Sequence, residues 1–191
     1  MALSEVAIYN LALQKLEAQR VASVDEDSTN AIECNACYAH LRDLELRKYN
    51  WNFARKRATL APSSVTPDFD YDYAFPVPSD FLRLLPLNTY ELDWRIENHE
   101  GQVCILTNDG TSLEINYIAR ITNTGLFDPC FEEMLACKIA DHLCGRITGS
   151  NTKKKDVRAD YQIAKADARR LNAFENISEE PPEDSWVAER R

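Results

Sequence analysis

The stretch that decides the fold begins at Trp51-Asn52-Phe53-Ala54. It passes through a Pro/Ser segment and continues as Phe69-Asp70-Tyr71-Asp72-Tyr73-Ala74-Phe75-Pro76-Val77-Pro78-Ser79-Asp80-Phe81-Leu82-Arg83-Leu84-Leu85. It carries no catalytic signature. Its rings stand where a helical pattern gives way to alternating ones, and large aromatic side chains at such a joint fix one layer against another. Trp51, Phe53, Tyr71, Tyr73, Phe75 and Phe81, with Phe127 and Phe131 further on, are therefore expected to form the structural core. Trp51 and Phe53 should be buried where the second helix meets the strand-rich segment.

Before this stretch the chain reads as two helices. Ser4 is a plausible N-cap, and Ile8, Leu11, Ala12 and Leu16 are spaced for one helix face. An acidic connector, Asp25-Glu26-Asp27-Ser28-Thr29-Asn30, offers caps for a second helix. Cys34, Cys37, Leu41, Leu44 and Trp51 continue its stripe, so this helix is expected to reach roughly Trp51. Pro62, Ser63, Ser64 and Pro67 then mark a surface loop.

The segment up to Ala119 reads as strands. Trp94 to Glu97 and Gln102 to Thr107 flank a turn at Gly101, and Asn108-Asp109-Gly110 is expected to close a hairpin into Ser112 to Ala119, giving one antiparallel sheet of about four strands. Asp128-Pro129 restarts helix, with Asp128 as N-cap and Met134, Leu135, Ile139, His142 and Leu143 along its length. A fourth helix, from about Thr152 to Phe174, keeps Val157, Tyr161, Ala164, Ala168 and Leu171 on one face. The predicted fold is α+β: a four-helix bundle from residues 1–58 and 127–176, an antiparallel β module inserted at 59–126 between helices two and three, and an extended C-terminal tail at 177–191. That tail carries Glu179-Glu180-Pro181-Pro182-Glu183-Asp184 and reads as unable to fold alone.

At 191 residues the chain suits one well-buried domain with an inserted module. No window approaches the roughly 18 apolar residues of a membrane span, and the N-terminus lacks the layout of a signal peptide, so synthesis in the cytoplasm and no membrane partner are expected. The net charge of −9 argues against wrapping nucleic acid, whose phosphates require a clustered positive surface. Two basic runs stand against that balance. Arg55-Lys56-Arg57 and Lys153-Lys154-Lys155 are read as charge at a helix C-terminus or in a solvated loop.

Chemistry-bearing residues are sparse. Cys130, Cys137 and Cys144 recur at helical spacing, which suits buried free thiols. Cys34-Asn35-Ala36-Cys37 has CxxC spacing but no second couple, so a zinc site recruiting His40 or His142 is the lesser reading, and no metal or cofactor is expected. There is no GxSxG and no phosphate-cradling glycine cluster. The carboxylate pairs Asp70/Asp72 and Glu132/Glu133 are the residues a glycosidase mechanism would need. Adjacent acids at capping or exposed positions are usually solvated, so no enzyme activity is expected.

The order of features nevertheless has a counterpart. Ala12-Leu13-Gln14-Lys15-Leu16 in a first helix, an acidic connector, Trp51-Asn52-Phe53-Ala54, the run from Tyr71 to Arg83, Ile115-Asn116-Tyr117 in a late strand and Phe127-Asp128-Pro129-Cys130-Phe131 opening a Leu/Ala helix together resemble tail tubular protein A, the head-to-tail adaptor family of short-tailed bacteriophages. The resemblance extends to about Phe174. It implies a non-enzymatic virion protein forming a homo-oligomeric, dodecameric ring. Such a ring sits below the portal protein and above a nozzle resembling tail tubular protein B, with a tail fibre as a further neighbour, and DNA passes through its lumen without specific binding. It also implies that the C-terminal segment reaches the portal, which singles out Trp186 as anchor, with Val187, Arg190 and Arg191. An acidic ring suits a conduit, because each basic residue would be multiplied by the copy number and add drag on the phosphates. Two readings from other classes compete: a tail-associated hydrolase of cell-surface polysaccharide or peptidoglycan acting through a carboxylate pair, and a helical DNA-packaging factor using Lys153 to Lys155.

Overall fold

The computed structural model describes residues 3–85 and 93–175. The tail at 177–191, and with it Trp186, Val187, Arg190 and Arg191, lies outside the described residues. Among the described residues the chain is mixed α and β, with four α-helices and two three-stranded antiparallel sheets.

Helix α1 (Glu5–Lys15) starts where Ser4 Oγ accepts the Ala7 amide at 3.3 Å. It ends in a left-handed residue that is not glycine: Glu17 has φ 56°, while the Glu17 and Ala18 amides donate to the carbonyls of Gln14 and Leu13. Those two bonds satisfy carbonyls the helix end would otherwise leave open. Helix α2 (Thr29–Lys48) is capped by Ser28 in the same manner as α1. Tyr9 joins the two helices, its buried hydroxyl donating to Glu5 at 2.6 Å and lying 2.7 Å from Asn35 Oδ1. Burial and the Glu5 bond together push this phenol well above the usual tyrosine range.

The second helix stops at Lys48, three residues short of the expected end at Trp51. The cause is the tryptophan itself. Tyr49 is extended, and the Trp51 indole N–H turns back to the Glu45 carbonyl at 2.9 Å, the acceptor that the next helical amide would have used. A 3-10 turn over Asn52–Ala54 follows, and strand β1 (Arg55–Leu60) begins at once. Arg55-Lys56-Arg57 is thus strand and not the end of a helix. Trp51 is 1 % exposed. Its ring contacts are Tyr49 at 5.2 Å, Phe131 at 5.1 Å and Phe53 at 6.2 Å, and Phe53 and Phe127 each close on Phe131 at 5.0 and 5.2 Å. The joint therefore meets the start of the third helix as well as the sheet, and Phe53 is only half-buried.

The strands β2 (Tyr73–Pro76), β3 (Phe81–Leu84), β4 (Trp94–His99), β5 (Gln102–Thr107) and β6 (Leu113–Ala119) divide between the sheets in the orders β1-β6-β3 and β2-β5-β4. The single four-stranded sheet expected from the pattern is not formed. The hairpin expected at Asn108-Asp109-Gly110 is absent too, because β5 and β6 belong to different sheets. A two-residue turn of the required type needs φ above zero at both central positions, and here Gly110, at φ 81°, is alone in that region. Asn108 is instead committed to the chain before β2, accepting the Asp72 amide at 2.8 Å and donating to the Asp70 carbonyl at 3.2 Å. The hairpin that does form joins β4 to β5 through Glu100 (φ 52°) and Gly101 (φ 76°), with His99 opposite Gln102.

The alternation Tyr71, Tyr73, Phe75 is likewise split. Phe75 enters the main core, whereas Tyr71 belongs to a small second cluster with Ala74, Cys104 and Leu106 on the other face of β2-β5-β4. The loop after β1 is tied to β2 by Ser63 N–H on the Ala74 carbonyl at 2.7 Å. Phe81 is half-buried and stacks on Tyr117 at 5.9 Å, and Tyr73 lies 6.3 Å from Phe75.

Helix α3 (Pro129–Ile147) begins as expected, with Asp128 accepting the Cys130 amide at 2.8 Å and Pro129 in the first turn. It is the helix on which the others pack. His142, placed on its apolar line by the pattern, is exposed. Helix α4 (Asn151–Phe174) buries Val157, Tyr161 and Ala168, while Leu171 is exposed at its far end. One continuous core includes side chains from all four helices and both sheets.

Two outcomes follow from these contacts. Trp51→Ala removes a fully buried ring and its indole bond, and should cost about 3 to 5 kcal/mol in urea denaturation, where a loss under about 1 kcal/mol would place the ring outside the core. Asp80 accepts Lys56 Nζ at 2.7 Å and the Tyr117 hydroxyl at 3.0 Å. Partial burial pushes its carboxyl up, but the Lys56 and Tyr117 bonds outweigh that and hold it below the usual range. A lowered carboxylate contributes its stability above the unfolded value of about 3.9 and loses it as pH falls through the folded value. Asp80→Asn should thus cost about 1 kcal/mol at neutral pH, with the gap to wild type closing below about pH 4. A gap that persists unchanged to about pH 2 would show that the aspartate carboxylate is not the source.

Candidate functional site

Several arginines with no ion-pair partner among the described residues lie where α2, the 3-10 turn and the β1-β6-β3 sheet meet. Ile118 of β6 has Arg55 of β1 opposite it on one side and Arg83 of β3 on the other, so the two arginines share a face of the sheet. Arg57, two residues on from Arg55, lies on that face as well. An irregularity in β3 between Phe81 and Arg83 is what turns Arg83 to this side while leaving Leu82 and Leu84 buried. Arg47, in the last turn of α2, donates to the Leu82 carbonyl, and Arg83 donates to the Asn50 side chain.

None of Arg47, Arg55, Arg57 and Arg83 has a carboxylate at ion-pair distance among the described residues. Burial and the neighbouring Arg47 charge lower the pKa of Arg83 from the usual arginine value. Its Nε is buried with no hydrogen-bond partner. Neighbouring charges are otherwise neutralised, Lys56 by Asp80 and Arg120 by Asp43. A guanidinium cluster of this kind suits carboxylate or phosphate groups, which accept its paired donors. Sequence reading took Arg55-Lys56-Arg57 for charge at a helix C-terminus or in a solvated loop, whereas it forms the start of β1, and did not single out Arg47 or Arg83. The available signal was the period of two, which puts residues 55 and 57 on one strand face.

The end of α4 borders this site. Asn52 N–H donates to Asn172 Oδ1 at 2.9 Å, Asn172 Nδ2 donates to the Asn50 carbonyl at 3.0 Å, and Asn52 Nδ2 reaches Glu175 at 3.3 Å. Arg169 lies over the Tyr49 ring at 5.0 Å.

Two apolar surfaces stand apart from it. On β2-β5-β4, Trp94, Ile96 and Val103 share the face whose other end, Phe75 and Ile105, enters the core, and all three are exposed. β4 is also an edge strand. On α4, Ile163 and Phe174 are exposed at 63 % and 76 %, with Leu171 beside them. Surfaces of this sort are where soluble proteins meet partners.

The other sequence candidates are dispersed. Asp70 and Asp72 are exposed, and Asp70, with φ 66°, lines a recess of about 180 Å³ with Asp68, Glu97 and His99, in which Asp72 takes no part. Glu132 is buried and accepts the Leu3 amide at 2.9 Å, whereas Glu133 points to Lys15 at 2.6 Å. Lys153-Lys154-Lys155 occupies the first turn of α4 and not a loop, an unfavourable place for positive charge, and Glu17 compensates Lys153 at 2.5 Å. His40 is exposed beside the buried Cys34 and Cys37. No group of three or more metal-liganding side chains converges among the described residues, and no described helix is long and apolar enough to cross a membrane.

No protein-family model and no curated protein matches the chain.

The six cysteines are free. Burial pushes the Cys34 thiol up to about 12 and those of Cys37 and Cys137 up to about 11, and raises Cys104 and Cys130 as well. Thiolate is the reactive form, so these groups are protected both sterically and by protonation. In a thiol-titration assay at about pH 8, Cys130, the half-buried one, should react first, and the rest only after denaturant is added. Rapid labelling of two or more thiols in the native protein would contradict the packing around α2 and α3.

Proposed function

We propose that this chain is a structural head-to-tail adaptor of a short-tailed bacteriophage. In this reading it forms a ring below the portal, joins it to the tail nozzle and extends the DNA channel. The four helices act as the ring body, and the strands between α2 and α3 act as an inserted module that projects toward neighbours.

The observation that carries the reading is the pair of unlike exposed apolar surfaces on one subunit: the β4 edge with Trp94, Ile96 and Val103, and the α4 stripe with Ile163, Leu171 and Phe174. A cyclic ring is built from a heterologous contact, in which one surface of a subunit meets a different surface of the next. The ordered motifs of the resemblance to tail tubular protein A support the same assignment, and the net charge of −9 suits a channel wall that must not retain the polymer passing it. Trp186, Val187, Arg190 and Arg191 are the proposed portal contacts, and the ring is proposed to be dodecameric and non-enzymatic.

The test is assembly on a portal ring, viewed by electron microscopy. The full-length chain should add a ring of density beneath the portal, and a chain ending at Asn176 should fold normally but attach less. Equal attachment of both would move the portal contact from the tail to the helical body. Failure of the full-length chain to form any ring, alone or on the portal, would overturn the adaptor reading.

A further inference from the structure

We propose that the free edge of β4 is a self-association surface. A second copy of this chain adds its own β4 there, antiparallel about a two-fold axis at Ile96, and joins two β2-β5-β4 sheets into one.

The backbone decides which groups are available. β4 is the last strand of its sheet and pairs with β5 in an unbroken register from Trp94 opposite Thr107 to His99 opposite Gln102. Glu100 (φ 52°) and Gly101 (φ 76°) form the connecting turn, and the pair that closes a two-residue turn of this type is hydrogen-bonded. His99, Glu97 and Arg95 therefore point their N–H and C=O groups at β5, whereas Trp94, Ile96 and Asn98 point theirs away from it. Among the described residues no strand lies on that side. Proline, lysine and bulges are devices that keep natural edges unpaired, and Trp94-Arg95-Ile96-Glu97-Asn98-His99 has none of them.

Charge selects the occupant. Arg95 and Glu97 flank Ile96 on the opposite face, both exposed, and their contact with each other is a loose 3.8 Å. With Ile96 opposite the partner's Ile96, Arg95 stands opposite the partner's Glu97 and Glu97 opposite the partner's Arg95. These are non-hydrogen-bonded pairs, the kind that brings side chains closer. Sliding the partner in either direction by the smallest step that keeps outward groups paired sets Arg95 against the partner's Arg95, or Glu97 against the partner's Glu97. Like charges directly opposite are destabilising, and an in-register parallel strand would align them too. The edge thus complements itself in one register.

The apolar side chains obey the same symmetry. Trp94, Ile96 and Val103 are exposed and share the face that continues into the core through Phe75 and Ile105. In the pairing Ile96 meets the partner's Ile96, and Trp94 stands opposite the partner's Asn98, next to the partner's Val103. The two copies then cover one another's strip. This goes beyond the adaptor reading and does not rest on it. β4 is one of the two surfaces assigned to the ring, so the pair is the form of the free chain and opens before a ring closes.

The experiment is sedimentation equilibrium on the full-length chain without portal. It compares wild type, Arg95→Glu, Glu97→Arg, the double exchange Arg95→Glu/Glu97→Arg, and an equimolar mixture of the two single variants. Wild type should dimerise reversibly. Each single variant sets like charges opposite at both symmetry-related pairs and should weaken its own dimer at least about ten-fold. The double exchange and the mixture return arginine opposite glutamate and should recover the wild-type constant, which misfolded variants would not do. A wild type still monomeric at about 100 μM overturns the inference. So does dimerisation that the single variants leave unchanged, which would move the contact to another surface such as α4. Rings or open chains in place of a dimer would reveal a head-to-tail contact and also overturn it. A monomeric wild type that nonetheless forms a ring on the portal would sink this pairing and leave the adaptor reading standing.

Discussion

The rest of the structure depends on the turn of Trp51 back onto α2. One indole N–H takes the Glu45 carbonyl, ends the helix at Lys48 and seats the ring against Phe131 at the start of α3. Because α3 is the helix on which the others pack, that contact ties the helical packing to the point where the chain enters its first strand. A buried aromatic contributes apolar area on every side and one directional bond, so it sets both position and angle. Phe53 and Phe127 complete the joint from either side of the strand region, at the residues where the chain leaves the helices and returns to them.

The strand region is held to the helices by apolar burial and kept from a simpler pairing by polar bonds. Phe75 and Ile105 from one sheet, and Leu82, Ile115 and Ile118 from the other, enter the same core. Asn108 then draws the end of β5 toward Asp70 and Asp72, which denies β6 its neighbour in sequence and sends it between β1 and β3. One consequence is that Arg55 and Arg83 flank the buried Ile118 on one face of β1-β6-β3. Another is an edge at β4 whose apolar side chains are left uncovered.

Helix existence, the caps at Ser4 and Asp128, a cap somewhere in Asp25 to Asn30, a turn at Gly101 and the burial of most of the aromatic residues were legible in the sequence, because each rests on local chemistry: a hydroxyl or carboxylate one turn ahead of an apolar stripe, a glycine able to take positive φ, a ring with nowhere else to go. Local reading could not say that Trp51 would end α2 rather than extend it, since its bond runs to a carbonyl six residues back and competes with the helix only once α3 supports the ring. Nor could it divide six strands between two sheets, because alternation marks a strand without naming its neighbour. The arginine face is the same case. Arg55, Arg57 and Arg83 come from two strands far apart in the chain, and register across β6, together with the irregularity in β3, decides that they share a face. What the sequence determined alone were the elements and the acidity that surrounds them. Which charges were left unpaired was decided only by the tertiary structure, since pairing depends on distance across strands and not along the chain.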